Sequence, residues 1–96
     1  MKILALEKET AGAKPHQFAP HLRAEAMHLW HLYQDGVVRE LYFRQDRPEA
    51  VLLLECADIN AARAILDTLP LVLSGLIDFE LIPLIPYPGF ARLFSS

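Results

Sequence analysis

Residues 49–57 read EAVLLLECA, and this segment constrains the fold more than any other stretch of the chain. If it forms a strand, alternate residues point to opposite sides of a sheet. The two sides then carry, in turn, Val51, Leu53 and Glu55, and Ala50, Leu52, Leu54 and Cys56. Both sides are mainly apolar, whereas an antiparallel strand with one solvated face alternates apolar and polar residues. We therefore expect a central strand that is covered on both faces.

The pattern of the remaining chain predicts three more strands and two helices. Strands are predicted over residues 2–8, 37–44 and 76–84, the second forming a hairpin with 49–57. Apolar residues recur at helical spacing over 18–35, where Pro15 and Pro20 bracket the start and Gly36 follows the end. A second helix is predicted over 58–69, with Asp58 as its N-cap, Pro70 as its stop and LVLSG as the connection that follows.

The resulting order, β-α-β-β-α-β, predicts a ferredoxin-like α+β domain that spans residues 1–96. Its sheet has four antiparallel strands, with both helices on one face. Since the helices cover only one side of the central strand, the other side needs a different cover. In a chain of 96 residues we expect a second copy, packed sheet to sheet with two-fold symmetry.

Composition narrows the classes of partner. Hydrophobic residues make up 53% of the chain and the mean hydropathy is +0.22, yet no run of 18 uninterrupted apolar residues exists to span a membrane. A net charge of −3 without a basic stripe argues against nucleic acid. The N-terminus lacks a signal-peptide pattern, and a single cysteine, Cys56, fits a reducing cytoplasm. We expect a cytoplasmic protein.

The last residues, 86–96, form an unusually apolar tail. Pro83, Pro86 and Pro88 end strand pairing and hold the chain extended toward Phe90 and Phe94. Such an apolar segment is expected to pack against another protein surface. Two arrangements stay open: the tail crosses onto a partner subunit, or it folds back as a lid on its own pocket.

The strand at 37–44 carries the most suggestive polar residues. Glu40, Tyr42 and Arg44 share one side of it, so a carboxylate, a phenol and a guanidinium stand in a row. Such a row can bind an anionic small molecule and move a proton. The alternative is a set of ion pairs on an edge strand, which are common and contribute little.

Histidines and the single tryptophan lie on the first predicted helix. His21, Glu25 and His28 share a helical face, which raises the question of a metal, but no HExxH motif or cysteine cluster supports one. We predict no metal site. His28 and Trp30 are expected either to line a pocket or to pack against a neighbouring element.

Two segments carry a family resemblance, namely GVVRELYFR at 36–44 and TLPLVLSGLIDFELIPLIPYP at 68–88. They resemble the muconolactone isomerase-like family of dimeric α+β barrels. The resemblance implies a sheet-to-sheet dimer, a small-molecule pocket, and an isomerisation by proton abstraction and return without metal or cofactor. Arg39, Glu40 and Tyr42 fall where the family has an Arg-His-Leu-Trp-like run, with Glu40 at the histidine and Tyr42 at the tryptophan.

Two hypotheses for function follow. In the first, the chain is a cofactor-independent isomerase of small carboxylated or lactone compounds. Its base would be Glu40, its anion clamp Arg39 or Arg44, and its pocket walls Tyr42, Trp30 and His28. In the second, the chain is a non-catalytic small-molecule-binding or assembly module, and the polar residues of this strand only form ion pairs.

Overall fold

A computed structural model describes residues 1–95 and places four strands in one antiparallel sheet. The strands are β1 (Lys2–Glu9), β2 (Val38–Phe43), β3 (Ala50–Glu55) and β4 (Ile77–Leu84). Their order across the sheet is β2-β3-β1-β4, so β3 and β1 are central and β2 and β4 are the edges. The predicted α+β, ferredoxin-like arrangement is confirmed, including the central position of residues 49–57.

The first predicted helix is a series of three helical segments. They are α1 (Pro15–Phe18), a 3₁₀ turn (Ala19–His21) and α2 (Leu22–Gln34). Pro20 lacks the N–H that a continuous α-helix needs at this position, which accounts for the tighter turn. Gly36, at φ +79°, ends α2 in the left-handed conformation that glycine adopts without strain.

The second predicted helix is shorter than expected. It forms α3 (Ile59–Leu66), and the Asp58 side chain caps it by accepting a hydrogen bond from the Ala61 N–H at 2.8 Å. The prediction that Pro70 stops this helix is wrong. Pro70 instead opens a separate short helix, α4 (Pro70–Leu73), because proline is well suited to the first helical position. The stretch that was expected to be a plain connection is therefore partly helical.

The core lies between the helices and one face of the sheet. Every second residue of β1 and β3 points into it, and Ile3, Ala5 and Leu54 have no exposed surface. The other fully enclosed apolar residues come from β2, α3 and the turn after α3: Val38, Ala62, Leu66 and Leu69. Burying a side chain of the size of leucine contributes about 2 kcal/mol, so this layer supplies most of the driving force for folding.

A β-bulge at Arg39 changes the side to which the residues of β2 point. Val38 pairs with Leu54 and faces the helices, but the register shifts before Glu40, which pairs with Leu53. As a result Leu41 faces the helices together with Val38, and Glu40 points to the other side of the sheet. Simple alternation would have placed Val38 and Glu40 on the same side.

The face of the sheet away from the helices is apolar at its centre. We call it the open face, and its apolar residues come from all three strands other than β2: Leu4, Leu6, Val51, Leu53, Ile82 and Leu84. Each of them retains accessible surface in the single chain, in contrast to the core residues on the other side. A contiguous apolar patch of this kind marks an interaction surface, so a second copy as its cover stays our prediction.

Substituting Leu53, at the centre of the open face, tests that prediction. In Leu53→Asp a charge would have to be buried between the two sheets of the predicted dimer, so we expect this dimer to dissociate while the single chain stays folded. Light scattering coupled to size exclusion measures the mass, and circular dichroism checks the fold. Ala64→Asp, on the exposed side of α3, is the control and should leave the mass unchanged. A Leu53→Asp protein of unchanged dimeric mass would contradict the proposal.

The described part of the tail projects beyond the sheet. Its apolar side chains are largely exposed, with Leu93 at 75% and Phe94 at 86%. It has local order of its own: the Tyr87 and Phe90 rings meet edge to face, 5.0 Å between centroids. Gly89 lies directly under the Tyr87 ring, where a Cβ would come within 2.1 Å of ring atoms. The tail is thus a shaped segment with an apolar surface.

Removing the tail tests whether it crosses onto a partner. Deletion of residues 87–96 removes the apolar contacts that the tail would make with the partner. It should therefore shift the monomer–dimer equilibrium toward monomer by at least about tenfold. Dilution series followed by light scattering give that equilibrium constant. A chain that lacks only Ser95 and Ser96 serves as the control. An equilibrium constant unaffected by the longer deletion would refute the crossing and favour the lid.

Candidate active site

An acidic residue occupies the core-facing row of β1. Ile3, Ala5 and Glu7 alternate along the strand, and the first two are fully buried. Glu7 continues this row at the end of the strand, so its carboxyl enters the space between the sheet and the helices rather than the solvent. The alternation in KILALEKE carries this signal, although the sequence alone does not show that Glu7 is partly buried.

Glu7 opens onto a cleft of about 380 Å³, which we call the Glu7 cleft. The cleft lies where the end of β1, the α1–α2 segment, the end of β2 and α4 meet. Its walls are mostly apolar, and the lining residues are Glu7, Glu9, Ala13, Pro15, Phe18, Leu22, Phe43, Pro48 and Leu71. A small, mainly apolar concavity with one or two polar groups is the usual form of a ligand site.

The surroundings of Glu7 favour its protonated form. The pKa of its carboxyl is raised from 4.5 to about 7, and burial is the largest cause. Repulsion from Glu49, Glu9 and Glu25 contributes to this rise, and the hydrogen bond from the Ala50 backbone partly opposes it. A carboxyl with a pKa near neutral pH exchanges protons readily in both directions, as a general acid–base group must.

Glu25 and Glu49 are held close behind the cleft. Glu25 is 7% exposed, and its Oε1 accepts a hydrogen bond from the Leu71 N–H at 2.9 Å, which joins α2 to α4. Burial raises the pKa of Glu25, while the Leu71 bond and the nearby His28 and His21 lower it. Glu49 is fixed by its Oε2, which accepts from the Glu9 N–H at 3.2 Å, and by Arg47, whose Nε lies 2.6 Å from Oε1.

The structure brings together two of the residues predicted on β2. The Tyr42 hydroxyl donates a hydrogen bond to Oε1 of Glu40 at 2.7 Å, and this contact raises the pKa of Tyr42. Both residues are exposed and lie at the β2 edge, on the side of the open face. They are therefore on the opposite side of the sheet from the Glu7 cleft.

The two predicted anion-binding arginines lie apart from this pair. The Arg44 guanidinium makes a two-pronged contact with Asp46, at 2.9 and 2.6 Å, so it is already neutralised. Arg39 is the extra residue of the bulge, and its guanidinium lies close to Gly36 at the end of α2. Neither residue lines the Glu7 cleft.

His28 and Trp30 occupy two different surfaces of α2. The His28 Nε2 lies 2.7 Å from the Thr68 hydroxyl, which itself donates to the Ile65 carbonyl, so the histidine nitrogen acts as the donor. Trp30 stacks at a tilt against Tyr33, 6.1 Å between centroids, above a shallow apolar hollow of about 350 Å³ that also contacts Leu41. His28 thus connects α2 to the turn after α3 by a hydrogen bond. Trp30, in contrast, remains 54% exposed.

His21 ends the 3₁₀ turn and Glu25 and His28 follow it on α2, where Glu25 is buried. Within residues 1–95, no group of three or more histidine, cysteine, aspartate or glutamate side chains has the geometry to hold a metal ion. The same part of the chain contains no helix with both the length and the apolar character needed to cross a bilayer.

Comparison with solved structures shows which known fold this chain has. A crystal structure of muconolactone isomerase superposes with a TM-score of 0.74, covering 93% of both chains at 19% identity. The chain has the muconolactone isomerase-like fold. A second structure with this fold is 5-chloro-2-hydroxyhydroquinone dehydrochlorinase from Burkholderia phenoliruptrix AC1100, in complex with 2,5-dihydroxybenzoquinone. It superposes with a TM-score of 0.66 at 14% identity, covering 93% of this chain and 98% of the other.

The muconolactone isomerase-like fold is confirmed by structure alone. No protein-family model and no curated protein matches the sequence. At identities of 19% and 14%, the likeness establishes the arrangement of strands and helices, not the residues of a site. The candidate site therefore rests on the geometry of this chain.

The raised pKa of Glu7 predicts a pH-dependent effect of Glu7→Gln on stability. The folded chain binds the Glu7 proton more strongly than the unfolded chain, whose carboxyl has the ordinary pKa of 4.5. The wild type therefore loses stability as the pH rises from about 4.5 to about 7, whereas the glutamine variant avoids this loss. We expect the two proteins to have similar Tm values near pH 4.5. Above about pH 7 the Tm of the variant should exceed that of the wild type by on the order of a few degrees.

Thermal unfolding of both proteins across this range measures the effect. The same change at the exposed Glu40 controls for the loss of one carboxylate from the surface. A Tm difference for Glu7→Gln that does not change with pH would show that the Glu7 carboxyl is not perturbed by the cleft.

Proposed function

We propose that the chain is an isomerase that moves a proton on a small, enolisable ring compound, with Glu7 as the base. The observation that carries the proposal is the partly buried Glu7 carboxyl in an apolar cleft of about 380 Å³. This replaces Glu40 as the preferred base, because Glu40 is exposed and bonded to Tyr42 while Glu7 lines a concave site. The proposed proton transfer uses side chains of this chain alone.

The reaction is a balanced transfer of one proton. The Glu7 carboxylate removes a proton from the carbon beside the ring carbonyl, and the electron pair of that C–H bond passes into a conjugated enolate. The protonated Glu7 then returns the proton at the far end of the conjugated system. The double bond has moved, the carboxylate is restored, and nothing is oxidised or reduced. A base with a pKa near that of the medium performs both halves well.

The walls of the cleft suit a flat ring. Phe18 and Phe43 present aromatic surface, and Leu22 and Leu71 complete an apolar lining. An apolar wall also keeps the carboxylate poorly solvated, which raises its basicity. The two solved structures with this fold support a ring compound: one is named for a lactone, and the other holds a benzoquinone.

A homo-oligomer is compatible with this site. The Glu7 cleft lies on the helix side of the sheet, and the open face lies on the other. Sheet-to-sheet pairing would therefore leave the cleft accessible. The dimeric unit and the cytoplasmic location that a lone Cys56 favours both stay predictions.

The second candidate function is a non-catalytic binding or assembly module. It is favoured by the polar side chains of β2 and the turn after it, which satisfy one another: Tyr42 bonds Glu40, and Arg44 bonds Asp46. In that case these paired groups take part in no reaction, and the chain contributes shape and apolar surface.

Paired variants separate these functions. The assay uses α-angelica lactone, whose double bond can shift by proton transfer, and follows both the shift and deuterium uptake from D₂O by NMR. We expect Glu7→Gln to lower the rate by about 100-fold or more, in line with general-base catalysis. Glu40→Gln is the matched control, and its rate should stay within about twofold of wild type.

Each other outcome has a definite meaning. A rate lost in Glu40→Gln and kept in Glu7→Gln would overturn our assignment and return the base to β2. A wild-type rate no faster than that of buffer would contradict the isomerase and favour the binding module. Circular dichroism of both variants confirms that they are folded.

A further inference from the structure

We propose that the Glu7 cleft selects uncharged ring compounds and rejects those that carry a carboxylate. The inference rests on the proposed function of the cleft and specifies its substrate class. It departs from the expectation drawn from the sequence, in which an arginine on β2 clamps a substrate carboxylate.

The ionisable groups in the lining of the cleft are acidic. Glu7 and Glu9 are its ionisable residues, and no lysine or arginine is among the residues that line the cleft. Glu49 and Glu25 lie close enough to act on Glu7 through space. Two carboxyl groups of β1 therefore line the place where a substrate would bind, and two more, from α2 and the turn before β3, lie behind it.

The nearby lysine and arginine side chains are paired with carboxylates or point away from the cleft. Arg47 contacts Glu49 at 2.6 Å, and Arg44 is bound by Asp46. Lys14 lies in sequence between the lining residues Ala13 and Pro15, but its side chain is exposed and does not line the cleft. An anionic substrate would thus find no lysine or arginine in the described lining and would face the carboxylates of Glu7 and Glu9.

The proposed reaction also favours a neutral ring. With a neutral ring, proton abstraction moves one negative charge from Glu7 to the enolate, so the total charge in the cleft does not change. A ring with its own carboxylate adds a second negative charge from the start. Like charges a few ångströms apart in a partly desolvated site repel strongly enough to weaken binding by roughly tenfold or more.

Three matched ligands test the inference by binding alone. The first is α-angelica lactone. The second is the acid in which a carboxylate replaces one hydrogen of its methyl group, and the third is the methyl ester of that acid. Titrations followed by protein NMR at about pH 8 give a Kd for each. We expect the ester to bind at least about tenfold more tightly than the acid, although the two have nearly the same shape.

Variants locate the origin of the preference. Glu9→Gln removes one carboxylate from the lining and should reduce the ester-to-acid ratio several-fold. Asp35→Asn removes the same charge at the far end of α2, roughly 20 Å from Leu22 for a 13-residue helix, and should leave the ratio unchanged. Lys14→Gln should also leave it unchanged, because this lysine does not hold the ligand.

The inference is overturned if the acid binds as tightly as the ester, or if Glu9→Gln changes the ratio no more than Asp35→Asn does. Binding of none of the three ligands would also overturn it, since a neutral lactone is the class proposed. Because these measurements need no turnover, a clear preference for the ester without isomerisation would refute only the proposed reaction. Turnover of the lactone without such a preference would refute only the charge selection.

Discussion

The pairing of β1 with β3 is the constraint on which the rest of the structure depends. Their registers place Ile3 beside Leu54 and Ala5 beside Leu52, so the two central strands together present an unbroken apolar layer to the helices. The same register places Leu4 beside Leu53 on the opposite side. One pairing therefore fixes both the core and the open face, because side chains on a strand alternate strictly between the two.

Much of the fold could be predicted because it depends on local patterns that few other structures satisfy. EAVLLLECA is apolar on both sides, and Asp58 and Gly36 occupy the cap positions that such residues favour. The errors occurred where a single residue has two possible effects. Pro70 can end one helix or begin another, and a bulge at Arg39 leaves no clear sign in the sequence because the extra residue is an ordinary one.

The candidate site was harder to predict than the fold, for a physical reason. The row of Glu40, Tyr42 and Arg44 attracted attention because polar residues stood together in the sequence, yet exposed polar residues commonly neutralise one another, as Arg44 and Asp46 do. Glu7 gave a weaker signal, one carboxylate at the end of an apolar row. Its importance depends on burial and on Glu49 and Glu25, which are distant in sequence and meet it only in the fold.

The alternation along β1 also has a consequence for how this chain can vary. Neighbouring residues of the strand belong to two different surfaces: Ala5 and Glu7 to the layer under the helices, Leu4 and Leu6 to the open face. A substitution at one position can thus alter one surface and spare the other. Inserting or deleting one residue within the strand would exchange the two sets, turning the carboxylate outward and the leucines inward. The number of residues in β1 is therefore under tighter constraint than the identity of most of them.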